Sequence, residues 1–311
     1  MFFLAAASLS ATTMDSARDL LAAGRIDDVI SVLSSRAASV QGDAEPANLL
    51  CRAYLAIEDL NRAEASCKRA VALDPNNSRY HRWLGHVYGE KADRVNFFSA
   101  ASLAGKTRQE FERAVQLDPN SIEARSDLAE FYFEAPGIVG GGQDKARALA
   151  KAFAVSSPAR EHWVYAHIAE KNNDPATAER EYRRMIEASN GDSEAWLSLA
   201  LFYRHQRRYD DMEKTLVRTS QAPMTKPDVL VDAAQNLYRT NRNTPLAIEL
   251  LQRYLATGPV EEAPAFKAHY LLGMLLEREG DRAGAAREYR SSLALARQFG
   301  LAQQALNRVS R

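Results

Sequence analysis

From Met14 onward, apolar positions recur every three to four residues, and the breaks in that period fall at short Gly, Asn and Pro clusters. Sets such as Ala47/Leu50/Cys51/Tyr54, Arg125/Leu128/Ala129/Tyr132 and Trp196/Leu199/Ala200/Tyr203 each line one face of an amphipathic helix. A second series of helices carries small or slim residues where two helices must approach closely: Ala63 and Ala70, Ala178 and Met185, Ala247, and Ala285. The pattern predicts helices in pairs, with units starting at Ala44, Ser78, Ile122, Ala159, Ser193, Pro227 and Phe266. A degenerate pair over 14–43 precedes them, and a capping helix at Leu293–Val309, whose end is 297–311, closes the chain. Pro at the end of several units forbids helix continuation and sets the turn to the next.

Three units end in nearly the same way: Ala63-x3-Cys67-x2-Ala70-x4-Pro75, Thr107-x3-Phe111-x2-Ala114-x4-Pro119 and Ala146-x3-Ala150-x2-Phe153-x4-Pro158. Two close on Leu-Asp-Pro-Asn, at Leu73–Asn76 and Leu117–Asn120, and Leu84-Gly85-x2-Tyr88 lies upstream of the second. These features resemble the tetratricopeptide repeat, a helix–turn–helix unit of about 34 residues that stacks into a solenoid. The resemblance covers about 44–296 and weakens in the units at Ala159 and Ser193, where Tyr165-Ala166 and Met212, Leu216 and Thr219 replace the expected residues. It implies an all-α, right-handed superhelical solenoid in which each repeat touches its neighbours. It also implies a scaffold that holds a peptide or protein rather than an enzyme.

Two spacings break the period. Pro75 to Pro119 is about ten residues longer than one repeat, with the surplus within 89–106, and Pro119 to Pro158 about five longer, with the surplus within 134–144. The first insert contains no Pro and carries a helical stripe (Val95, Phe98, Ala101, Ala104), which predicts a lengthened hairpin. The second, Ala135-Pro-Gly-Ile-Val-Gly-Gly-Gly-Gln-Asp144, is predicted to be a loop. This combination resembles a group of bacterial tetratricopeptide proteins, and that likeness brings no activity with it.

Composition narrows the partners. Lys plus Arg and Asp plus Glu both total 40, so the formal net charge is zero. Neither a basic excess nor a basic run points to nucleic acid. The apolar start over 1–13 resembles a secretory signal without a basic n-region, which predicts a periplasmic or secreted protein. No apolar stretch reaches membrane-spanning length.

Candidate chemistry is sparse. The Gly140–Gly142 run is followed by Gln143-Asp144, so it lacks the Lys and hydroxyl of a phosphate loop. Two pairs among the six histidines are spaced by five, about 140° apart on a helix, where a shared metal would want spacing of four. No nucleophile–base set, metal site or cofactor is expected. Cys51 and Cys67 both point into one hairpin interface and read either as two buried thiols or, in an exported chain, as a disulfide.

The family's concave face, carried onto this chain through the first helices, includes Arg82, His86, Glu130, Trp163, His167, Arg204, Gln235, Tyr238, Arg239 and Tyr270. Aromatic residues and Arg are the types enriched at interface hot spots. The chaperone-tail clamp of the family wants Asn at position nine, and Arg52, His86, Glu130, His167, Leu201, Gln235 and Met274 stand there instead. The reading is a non-catalytic scaffold with a peptide or protein in its groove. The alternatives are a cytoplasmic adaptor of a multiprotein complex and an enzyme or carrier framed by the solenoid.

Overall fold

A computed structural model describes residues 14–34 and 42–311; the apolar start over 1–13 lies outside the described residues. Those residues form helices, and no strand occurs among them. The opening pair is α1 (14–22) and α2 (Ile26–Ser34). Seven hairpins follow. Their first helices are α3 (Glu45–Ala56), α5 (Ser78–Ala92), α7 (Ile122–Glu134), α9 (Pro158–Lys171), α11 (Ser193–His205), α13 (Val229–Thr240) and α15 (Ala265–Arg278). The second helices are α4 (Leu60–Leu73), α6 (Phe97–Leu117), α8 (Gln143–Phe153), α10 (Pro175–Ala188), α12 (Tyr209–Gln221), α14 (Thr244–Thr257) and α16 (Arg282–Leu295). A last helix, α17 (Gly300–Val309), ends the chain.

Each first helix starts within two residues of its predicted position, because cap chemistry and period agree. The side chains of Asn77 and Ser121 accept from the backbone N–H groups of Arg79 and Ala124, at 3.2 and 3.1 Å, satisfying donors that the helix itself leaves orphaned. The small residues lie where the packing requires them: Ala63, Ala70, Ala178, Ala247 and Ala285 are fully buried. The Leu-Gly pairs serve the same need. A Cβ on Gly85 would stand 2.5 Å from the Phe111 ring, and one on Gly273 2.5 Å from Tyr289. Only glycine lets the aromatic ring of the second helix lie against the first at that distance.

Both inserts have a definite form. The first lengthens its hairpin unevenly: α6 runs to 21 residues and α5 to 15, against 14 and 12 in α4 and α3. The second is a loop with a single 3-10 turn at Gly137–Val139, closed by Gly140 at φ 94°. The predicted helix Leu293–Val309 is instead broken at 296–299 between α16 and α17. Phe299 is buried there against Phe266, their ring centroids 5.0 Å apart, and that burial outweighs the pull to continue the helix.

The chain divides into two compact bodies. The contiguous body is Asp74–Val229, and the split body joins the described residues up to Leu73 with Leu230–Arg311. The neighbours-only expectation fails in the split body, where helices from opposite ends of the chain meet. Gly24, at φ 71°, leaves no room for a Cβ, which would lie 2.7 Å from the Ala265 nitrogen. Arg52 is paired with Glu261, Arg62 donates to Gln298 at 2.8 Å, and Arg297 donates to Asp27 at 2.9 Å. Across the α3–α4 hairpin of this body, the Sγ atoms of Cys51 and Cys67 are bonded. The Cα–Cα distance is 5.1 Å and both residues are fully buried.

Candidate partner-binding face

In the contiguous body the first helices α5, α7, α9 and α11 present side chains that link one helix to the next. Arg82 Nε donates to Asp127 Oδ2 at 2.5 Å, and His86 Nε2 lies 3.0 Å from the same oxygen. That joins α5 to α7. Between α7 and α9, Glu134 pairs with Lys171 at 2.5 Å, and the Phe133 ring is stacked on His167, 4.6 Å apart and 7° from parallel. Trp163 sets its edge against both rings, and the Arg160 guanidinium lies over the Trp163 ring at 5.4 Å. Between α9 and α11, His205 lies 3.1 Å from Glu170, and Arg160 pairs with Glu194. Arg204 Nη2 lies 3.1 Å from the His205 ring.

The electrostatics of this row follow from its depth. Burial pushes the Asp127 carboxyl up, but the His86 hydrogen bond and the charges of His86 and Arg82 hold it below its usual range. Glu130 goes the other way, raised by loss of water and then by the neighbouring Asp127 charge. The side chain itself is exposed, at the edge of a recess. Burial lowers His167 to about 4 against the pull of Glu170. The ring is therefore neutral at neutral pH and serves as an aromatic plate between Phe133 and Trp163. Glu170, accepting from Tyr182 Oη at 2.5 Å and facing His205, stays below its ordinary value despite burial.

Six of the residues expected on the binding face therefore lie along this row: Arg82, His86, Glu130, Trp163, His167 and Arg204. The other four belong to the split body. Gln235 and Tyr238 on α13 are half-buried and Arg239 is exposed. Arg278 covers the Tyr238 ring at 4.4 Å and donates to its carbonyl at 3.0 Å. Tyr270 packs against Phe299 and Tyr289 and so holds α17 in place. Asp127, Phe133 and Glu170 complete the row without having been singled out in the sequence. Phe133 stands at position twelve of its repeat, a groove position of the family, whereas Asp127 carries no signal beyond its polarity.

Three other histidines recur at position four of their repeats, each facing a glutamate of its own hairpin's second helix. The pairs are His81–Glu110 at 2.6 Å, His162–Glu181 at 2.8 Å and His269–Glu288 at 2.7 Å. They tie hairpins together. Among the described residues no group of three or more His, Cys, Asp or Glu side chains is arranged to hold a metal ion, and no helix is long and apolar enough to cross a membrane.

Comparison with known proteins fits this geometry. The tetratricopeptide repeat family pattern matches residues 20–85 and 166–213. A tetratricopeptide protein of Thermus thermophilus superposes with a TM-score of 0.50 at 18% identity, over 61% of this chain and 97% of that one. Yeast Tom70 superposes with a TM-score of 0.54 at 15% identity, over 92% of this chain and 58% of that one. At such identities the likeness is one of fold. The curated proteins give no match. Repeat pattern and fold agree: the chain is a tetratricopeptide repeat protein, an all-α solenoid of the class that serves as a protein-interaction scaffold.

Proposed function

We propose that this protein is a non-catalytic scaffold that binds an extended peptide or protein segment along the first-helix face of its contiguous body. The observation that carries the reading is the row from Arg82 to Arg204, in which charged and aromatic groups follow one another across four first helices. An extended backbone offers carbonyls to Arg and lays its side chains against aromatic faces such as Trp163. The groups are held by cross-helix contacts before any partner arrives, so little ordering entropy remains to be lost on binding. A periplasmic or secreted setting is part of the proposal, supported by the bonded Cys51 and Cys67 in an oxidising compartment.

The test uses a photo-reactive phenylalanine at position 204 and, as control, at position 180 on the outward face of α10. A partner crosslinked from 204 and not from 180 supports the reading. With that partner, Trp163→Ala is expected to weaken binding by about thirtyfold, the loss typical of an interface anchor. Crosslinking from 180 alone, or unchanged affinity for both Trp163→Ala and Arg204→Ala, overturns it.

A further inference from the structure

Beside Glu130 the row opens into a cavity that the contacts between first helices do not account for. A pocket of about 590 Å³ lies within the contiguous body, between the elongated α5–α6 hairpin and the loop after α7. Ala100, Ala101, Ala104 and Phe111 of α6 line it, together with Phe131 of α7 and Val139 of the loop. At the mouth Phe97 and Ile138 are 73% and 87% exposed. Both stand on the segments that break the repeat period. An ordinary repeat has neither the extra turns of α6 nor this loop, so the pocket is a product of the two inserts.

Its polar side is one-signed. Among the described residues the lining includes the carboxylates of Glu90, Asp93, Asp127, Glu130 and Glu134 and no Lys or Arg. Three of those carboxylates already have cations: Asp127 has Arg82, Glu134 has Lys171, and Glu90 has Arg94 at 3.7 Å. The carboxylates of Asp93 and Glu130 make no ion pair or hydrogen bond among the described residues. Both side chains are exposed, so an incoming cation meets two carboxylates that no cation of the described residues already occupies.

We propose that this pocket takes a large apolar side chain of a partner peptide, set between Ala101 and Phe131, while a neighbouring Lys or Arg of that peptide meets Glu130. The proposal deepens the scaffold reading and rests on it. The volume falls in the range that encloses a small ligand or one to two large side chains. Burial of an apolar group there removes its own surface and that of Phe97 and Ile138 from water. A peptide suits the site better than a free small molecule because His86, Asp127 and Glu130 belong to both the pocket and the row. A chain lying along the row would pass over the opening and drop one side chain into it.

The test is selection of a phage-displayed library of random peptides on the full-length protein, followed by affinity measurement of the enriched peptides. Peptides pairing Phe, Leu or Trp with an adjacent Lys or Arg are expected. Filling the pocket by Ala101→Trp should weaken them by about tenfold or more, and Glu130→Gln by a smaller factor that shrinks further in high salt. Circular dichroism of both variants confirms that they fold, and Glu130→Gln, nearly isosteric, keeps the test decisive if Ala101→Trp does not. Enriched peptides that lack a cation, or that bind both variants like the parent, overturn the proposal. If those same peptides are lost with Trp163→Ala, the pocket fails while the scaffold reading stands. No enrichment at all counts against both. Binding to phosphatidylcholine vesicles that depends on Phe97, with no peptide enriched, also overturns it and makes the mouth a membrane-contacting patch.

Discussion

The α5–α6 and α15–α16 hairpins start from the same device and end in opposite conditions. Each has a Leu-Gly pair in its first helix and an aromatic ring pressed against that glycine from the second, Phe111 in one and Tyr289 in the other. In α15–α16 the surrounding apolar surface is covered by the chain itself. Phe299 and α17 lie over Phe266 and Tyr270, and Tyr289 Oη donates to Glu277 at 2.7 Å. In α5–α6 the extra length carries Phe97 out into solvent, and the space beside Phe111 is left open as a pocket. One repeat motif thus gives a sealed core where its neighbour is supplied in cis and a vacant recess where the insert holds the neighbours apart.

The contrast is sharpest in the aromatic residues. Phe299→Ala is expected to cost about 3–5 kcal/mol, a buried aromatic lost from a filled core, whereas Phe97→Ala should stay within about 0.5 kcal/mol. Urea unfolding of the two variants checks this, and equal midpoints would break the distinction between sealed and open hairpins. The α3–α4 hairpin is sealed in a third way, by a covalent bond. Replacing both Cys51 and Cys67 by Ala should cost about 3 kcal/mol, the loop-closure value for a separation of 16 residues. Thiol titration of the denatured, unreduced protein should find no free thiols, and two per chain would remove this case from the comparison.

The open side has its own signature with pH. His167 titrates near 4 when folded and near 6.5 in an unfolded chain, so the unfolded state binds the extra proton between those values. Stability is expected to fall as pH drops from about 6.5 to 4, by on the order of 2 kcal/mol from this residue. His167→Gln should flatten that limb of a denaturation-midpoint profile; an unchanged slope would assign the acid sensitivity elsewhere. The smallest effect separates the two glycines. Gly273→Ala should destabilise by about 1–2 kcal/mol because Tyr289 is held on all sides. Gly85→Ala should come out near zero, since Phe111 can yield toward the pocket and alanine favours the helix by about 1 kcal/mol. Equal costs in thermal melts would show that the recess gives Phe111 no freedom.

How much of this could be read from the residues differs by level. Helix starts were legible because period, caps and proline all mark the same positions, as at Asn77-Ser78 and Ser121-Ile122. The two inserts were legible as interruptions, and Phe97 and Phe98 as their apolar content. The row was only half legible. Its aromatic and basic members stand at groove positions of the repeat, but Asp127 and Glu170 matter through partners on a neighbouring first helix, α5 for Asp127 and α11 for Glu170, and that pairing depends on how far one hairpin rotates against its neighbour. The break before α17 had one mark, Gly300, a poor helix former outweighed by the strong formers around it until Phe299 is buried. The meeting of the chain's two ends had no local mark at all: Gly24 and Ala265 are ordinary residues until they touch.

That meeting imposes an order of events on the newborn chain. Contacts such as Arg52–Glu261 and Arg297–Asp27 join residues 209 and 270 positions apart. At ribosomal speeds of about 5–20 residues per second, the first helices wait roughly 10–50 s for the surface that covers them, while hydrophobic collapse takes microseconds. The contiguous body, which ends at Val229, has every one of its residues in hand before Glu261 and Arg297 are made. The early segment is thus the part of this protein most in need of a chaperone during synthesis. A bond between Cys51 and Cys67, which needs nothing beyond residue 67, is a covalent restraint it can acquire while it waits.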